Sequence, residues 1–170
     1  MLIAVVIVLI VLCIVISMRP GTFRLERKAT ITAPTEKVFS YINDFREWAK
    51  WSPWEKMDLN MQKIYSGAVS GKGSIYEWTG NNKVGMGRME ITGSTPNRIM
   101  LDLDFLKPFE AHNKTEFLLA ANGDTTEVTW TMSGDLSFLM KAMHLVMNMD
   151  KVVGKDFESG LAGLKALAEG

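Results

Sequence analysis

The sequence predicts an α+β fold: a curved antiparallel sheet of seven strands wrapped around a long carboxy-terminal helix. Two short helices follow the first strand, and one transmembrane helix stands at the amino terminus. Three observations carry this. Residues 1–18 bear no charge; seven short extended runs, most of them alternating apolar and polar residues, follow from Phe23 onward; and apolar residues recur at three- and four-residue steps between Met149 and Ala168. The chain divides accordingly into an anchor over 1–18, a tether over 19–22 and one domain over 23–170.

The anchor contains a single polar side chain, Ser17, and Arg19-Pro20 ends it. At about 1.5 Å per helical residue the run measures roughly 27 Å, against about 30 Å of bilayer hydrocarbon. A cleaved secretory signal would need a basic region before the run and small residues at its exit, where this sequence reads Val-Ile-Ser-Met-Arg-Pro. A lipoprotein signal would need a small residue before Cys13, and Leu12 stands there. Arg19, Arg24, Arg27 and Lys28 all follow the run, so the positive-inside bias predicts a single-pass protein of the cell membrane with its domain in the cytoplasm. Cys13 is the only cysteine, which excludes an intramolecular disulfide.

From Phe23 to Thr32 the chain alternates, with Phe23, Leu25, Ala29 and Ile31 on one parity: a half-buried strand. Ala33-Pro34 breaks it, and Val38, Phe39, Ile42 and Phe45 then follow at helical spacing over 34–45. A second short helix carries Trp48 and Trp51 before Pro53 stops it. Strands are predicted over Gln62–Ser66, Gly73–Thr79, Val84–Thr92, Arg98–Leu106, Asn113–Ala120 and Thr125–Ser133, separated mostly by Gly, Asn and Pro turns. Connections this short leave no room for crossover helices, so the sheet is antiparallel. Its inward parity holds Met89, Ile91, Leu101, Leu103, Phe105, Phe117, Leu119, Val128, Trp130 and Met132. Asp102, Asp104, Glu116, Glu127, Thr129 and Thr131 take the solvated face. The stretch over 138–148 reads as a separate amphipathic helix or a bent extension of the last one, over 150–169, whose Gly154, Gly160 and Gly163 are expected to mark close contact with the sheet.

Nineteen basic residues balance nineteen acidic ones, so no global field recruits nucleic acid. Catalysis and metal binding need converging titratable groups, and the chain has two histidines, His112 and His144, neither in a ligand spacing. Gly71-Lys72-Gly73 and Gly85-Met86-Gly87 lack the strand–loop–helix setting of a phosphate loop and are read as bends or bulges. Neither a metal nor another cofactor is expected.

Strand, two short helices, six strands and a long helix resemble the polyketide cyclase/dehydrase-like (SRPBCC) branch of the START, Bet v 1-like, helix-grip superfamily. The residues that carry the likeness are Ile31-Thr32-Ala33-Pro34-Thr35-Glu36-Lys37-Val38-Phe39, Ile42-Asn43-Asp44-Phe45, and Trp48-Ala49-Lys50-Trp51-Ser52-Pro53-Trp54. Asp156-Phe157-Glu158 and Leu161-Ala162-Gly163-Leu164-Lys165 complete it. The resemblance implies an apolar cavity between the sheet and the last helix that takes a lipid or another hydrophobic small molecule. The candidate lining is Trp51, Trp54, Tyr76, Trp78, Met89, Leu103, Phe105, Trp130, Met143 and Phe157, with Tyr76 and the indole N–H groups as polar contacts. Met140, Met143, Met147 and Met149 are read as an adaptable lid at its mouth. The same resemblance leaves two alternatives open. One is a cyclase-type enzyme using Tyr76, His112 or an inward acid; the other is a protein-interaction or chaperone-activating module.

Overall fold

A computed structural model describes residues 1–146 and 148–170, apart from the side chains of Leu2, Val146 and Met149. Helix α1 covers Leu2–Ser17, and Arg19-Pro20 ends it because the proline ring cannot continue a helix. Strand β1 follows immediately (Thr22–Ile31), then α2 (Thr35–Asn43), α3 (Trp48–Trp51) and α4 (Trp54–Met57). Strands β2 (Gln62–Gly67), β3 (Ser74–Thr79), β4 (Met86–Thr95), β5 (Arg98–Lys107), β6 (Ala111–Asn122) and β7 (Thr125–Asp135) form the rest of the sheet. Helices α5 (Phe138–Val146) and α6 (Met149–Glu169) close the chain.

Two expectations change at the helices. At 16 residues α1 reaches about 24 Å, and among the described residues no helix is long and apolar enough to cross a membrane, so the span expected over 1–18 is not found. Three short helices, not two, follow β1: Pro53 ends α3 but also opens α4, since its fixed φ suits a first helical turn. The lid residue Met147 lies outside the described residues.

The seven strands are antiparallel in the order β1-β7-β6-β5-β4-β3-β2. The inward parity is the expected one: Ile91, Ile99, Leu101, Phe117, Val128 and Trp130 are buried against the helices. Thr129 and Thr131 depart from it, being buried on the outer face of β7. Their register neighbours Lys28, Glu26 and Glu116 are longer, and those stems cover the short hydroxyl side chains. The register shift at Met86/Gly87 places a bulge in β5, at Leu106 opposite the bend anticipated around Gly85-Met86-Gly87, and the shift at Ile91/Gly93 places one in β4, at Thr92; they curve the sheet toward the helices.

Helix α6 lies in that curve. Its Asn148 cap accepts from the Lys151 amide at 2.9 Å, and Phe157, Leu161 and Leu164 are buried along one side. Arg27 of β1 reaches across to Glu158 at 2.8 Å and to Asp150, with its guanidinium against Gly154. Gly160 faces the Trp130 ring, and a Cβ on Gly163 would stand 2.7 Å from the Trp51 carbonyl oxygen. Because that neighbour is backbone, Gly163→Ala is expected to destabilise the fold by about 1–3 kcal/mol, despite about 1 kcal/mol of improved helix propensity. Thermal unfolding checks this, and a raised melting temperature would show that α6 has room to spare.

Candidate functional site: an apolar cavity under the carboxy-terminal helix

The aromatic residues of the interior meet around Trp130. Its ring stacks on Phe157 of α6 at 3.9 Å between centroids and on Phe117 of β6 at 4.7 Å, while the edges of Trp51 and Trp54 approach to 5.8 Å each. Beside this cluster the concave face and the helices do not close completely. They leave a cavity of about 370 Å³, walled by β1 and β3 to β7 below and by α3, α4, α5 and α6 above. The volume lies in the range of small-molecule sites, about 300–1,000 Å³.

Eight of the ten residues expected to line a cavity do so: Trp54, Tyr76, Trp78, Met89, Leu103, Phe105, Trp130 and Phe157. Two do not. Trp51 turns into the solid core between α3 and the sheet, where its indole donates to the Tyr41 carbonyl at 3.1 Å. Met143 is replaced on the cavity side of α5 by Met140 and His144, one turn apart.

Polar groups in the wall fall into two sets. At one end Tyr76 donates its hydroxyl to Glu55 of α4 at 2.6 Å, and Lys63 of β2 pairs with the same buried carboxylate. Burial, then the hydrogen bond to Glu55, hold the Tyr76 hydroxyl far above its ordinary pKa, so it stays protonated. Near α6, burial pushes the Asp156 carboxyl up, and a hydrogen bond from the Trp54 side chain offsets part of the rise. The second set lies on β6 and β7. Asn113, Thr115 and Trp130 are buried in the cavity wall, and Asn113 Oδ1, Thr115 Oγ1 and Trp130 Nε1 have no hydrogen-bond partner among the described residues.

Glu55, Asp156, Asn113, Thr115 and His144 were not among the residues expected here. The strand pair had a signal, since Asn113 and Thr115 share the parity of Phe117 and Leu119. The helix residues had none at the level of spacing.

His112 takes a different place from the one an enzymatic role would need. It projects from the outer face with its side chain 69% exposed, between Asp104 at 2.7 Å and Glu110 at 3.4 Å. The hydrogen bond to Asp104 raises its pKa above the ordinary imidazole value. Asp102 is likewise spent on the outer face, paired with Lys114 at 2.7 Å. Among the described residues no group of His, Cys, Asp and Glu could hold a metal ion.

An antiparallel sheet gripping a terminal helix around an apolar cavity defines a helix-grip ligand-cavity protein. The family model described as polyketide cyclase / dehydrase and lipid transport matches residues 22–169, and the chain belongs to that family. Solved structures share the fold at low identity. A protein from Chromobacterium violaceum is 18% identical with a TM-score of 0.61, over 89% of this chain and 99% of that one. The Aha1 dimer from Colwellia psychrerythraea is 16% identical with a TM-score of 0.61, over 86% and 96%. The di-domain ARO/CYC StfQ from the steffimycin biosynthetic pathway is 10% identical with a TM-score of 0.66, over 87% of this chain and 51% of that one. No curated protein matches the sequence.

Proposed function

We propose that this protein is a membrane-attached binding module for a hydrophobic small molecule or lipid, taken into the cavity beneath α6. The observation that carries the reading is the cavity itself: about 370 Å³ of space that the surrounding aromatic and aliphatic side chains enclose without filling. Binding is favoured over cyclase-type catalysis because His112 faces solvent and the Tyr76 hydroxyl is already engaged with Glu55. Membrane attachment is supported by α1, whose side chains from Ile3 to Val15 are exposed and, Cys13 aside, aliphatic all round. An apolar helix with no polar face calls for lipid or protein around it. In this arrangement the domain lies close to the lipid, with α5, which lines the cavity through Met140 and His144, resting against α1.

Filling the cavity tests the reading. Leu103→Trp places a larger ring where the wall is incomplete, so it is expected to cost under about 1 kcal/mol, where overpacking a solid core costs about 1–3 kcal/mol. The same variant should bind N-phenyl-1-naphthylamine at least tenfold more weakly than the parent, read by probe fluorescence. Unchanged probe binding by the folded variant would remove the cavity as the site.

A further inference from the structure

Three buried polar atoms without partners among the described residues lie on one face of two adjacent strands. Asn113 and Thr115 alternate along β6, and the register sets Asn113 opposite Gly134, Thr115 opposite Met132 and Phe117 opposite Trp130. The row from Asn113 through Thr115 to Trp130 therefore runs diagonally across the cavity wall. Gly134 makes room for it: the Asn113 amide oxygen occupies the space where a side chain at position 134 would begin. Asn113 and Thr115 are 5% and 4% exposed and Trp130 2%, so bulk solvent does not reach them freely. Three of the other four tryptophans differ from Trp130 in hydrogen bonding. Trp48, Trp51 and Trp78 each donate their indole N–H to a backbone carbonyl, at 2.9, 3.1 and 2.9 Å, whereas that of Trp130 goes to no described residue.

Buried polar atoms left unpaired are unfavourable, and a cavity meant only for hydrocarbon would carry leucine and valine at these positions. The three atoms also have complementary chemistry. Asn113 Oδ1 accepts only, Trp130 Nε1 donates only, and the Thr115 hydroxyl can do either. Asn113 and Thr115, two residues apart on the same face of β6, can share one group that both donates and accepts, and a hydroxyl is the smallest such group; Trp130 lies four residues along β7 from the Asn113 partner Gly134, about 13 Å away and outside its reach. An ionised carboxylate offers Asn113 Oδ1 no proton, and the lysine and arginine of the cavity boundary, Lys83 and Arg24, are exposed.

We propose that the cavity selects an uncharged hydrophobic molecule bearing a hydroxyl or enol group, held by Asn113 and Thr115. This rests on the reading of the cavity as a hydrophobic-ligand site and names the headgroup chemistry that site prefers. The test compares 2-naphthol with 2-methylnaphthalene, which match in size and differ in the hydroxyl. Each is titrated into the full chain in amphipol and followed by tryptophan fluorescence. The parent should bind 2-naphthol at least tenfold tighter. In an Asn113→Leu, Thr115→Val double variant the preference should fall to within twofold, with the affinity for 2-methylnaphthalene held or improved. The variant removes two unpartnered polar side chains, so its melting temperature should not fall below the parent's; Thr115→Val alone serves as the milder version and should lose part of the preference. Equal binding of the two probes by the parent, or an unaltered preference in the double variant, overturns the inference and leaves the cavity reading standing. Binding of neither probe overturns both.

Discussion

Trp130→Ala is expected to cost about 3–5 kcal/mol of folding free energy, the usual range for removing a large aromatic from a core. A domain has only about 5–15 kcal/mol to lose, so the variant should be largely unfolded at moderate urea. The reason is position. Trp130 is 2% exposed and stacks between Phe117 of the sheet and Phe157 of α6, with Trp51 and Trp54 edge-on. It thus joins strand, short helices and long helix in one aromatic cluster. Trp130→Phe keeps one ring of the stack and should lose less than half as much. Urea unfolding followed by circular dichroism decides the matter, and a loss below about 1 kcal/mol for the alanine variant would mean that the stack is not what joins α6 to the sheet.

Deleting residues 1–18 should release the protein from membranes altogether. The helix presents about a dozen branched aliphatic residues, each favouring the bilayer by roughly 0.3–0.6 kcal/mol on an insertion scale. The sum, about 4–8 kcal/mol, amounts to a partition of a thousandfold or more. The full chain should float with liposomes in a density gradient and the truncated chain should stay at the bottom. Because α1 meets the domain only at its carboxy-terminal end, around buried Ile16 and α5, the truncated domain should still bind N-phenyl-1-naphthylamine. A truncated chain that still floats would assign membrane affinity to the domain surface instead.

Much of this architecture was legible because sheets declare themselves at period two. The parity of Met89, Leu103, Phe117 and Trp130 places each on the concave face, and the glycines of α6 mark its three close approaches, to Arg27, Trp130 and Trp51. What escaped was set by tertiary context. Pro53 can end one helix and begin another, and residue type alone does not separate the two. Thr129 and Thr131 are buried by the long stems of neighbouring strands, a matter of cross-strand register rather than of their own polarity. Trp51 and Trp54 are equally aromatic and three residues apart, yet one fills the core and the other lines the cavity. Glu55, a charged residue on a four-residue helix, finds Tyr76 and Lys63 only because α4 folds back over β2 and β3.

The strand order has one more implication, for how the chain comes together in time. Strand β1 has a single partner, β7, which is the last strand to leave the ribosome, and α6 packs on β1 only afterwards. The hairpins from β2 to β7 can zip sequentially as they emerge, whereas β1 must wait, unpaired, through the synthesis of everything between. Closing that long loop is entropically costly and places the protein among the slower folders, milliseconds to seconds after release. Through that interval the Arg24, Glu26, Arg27 and Lys28 charges guard a naked strand edge against pairing with a neighbouring nascent chain.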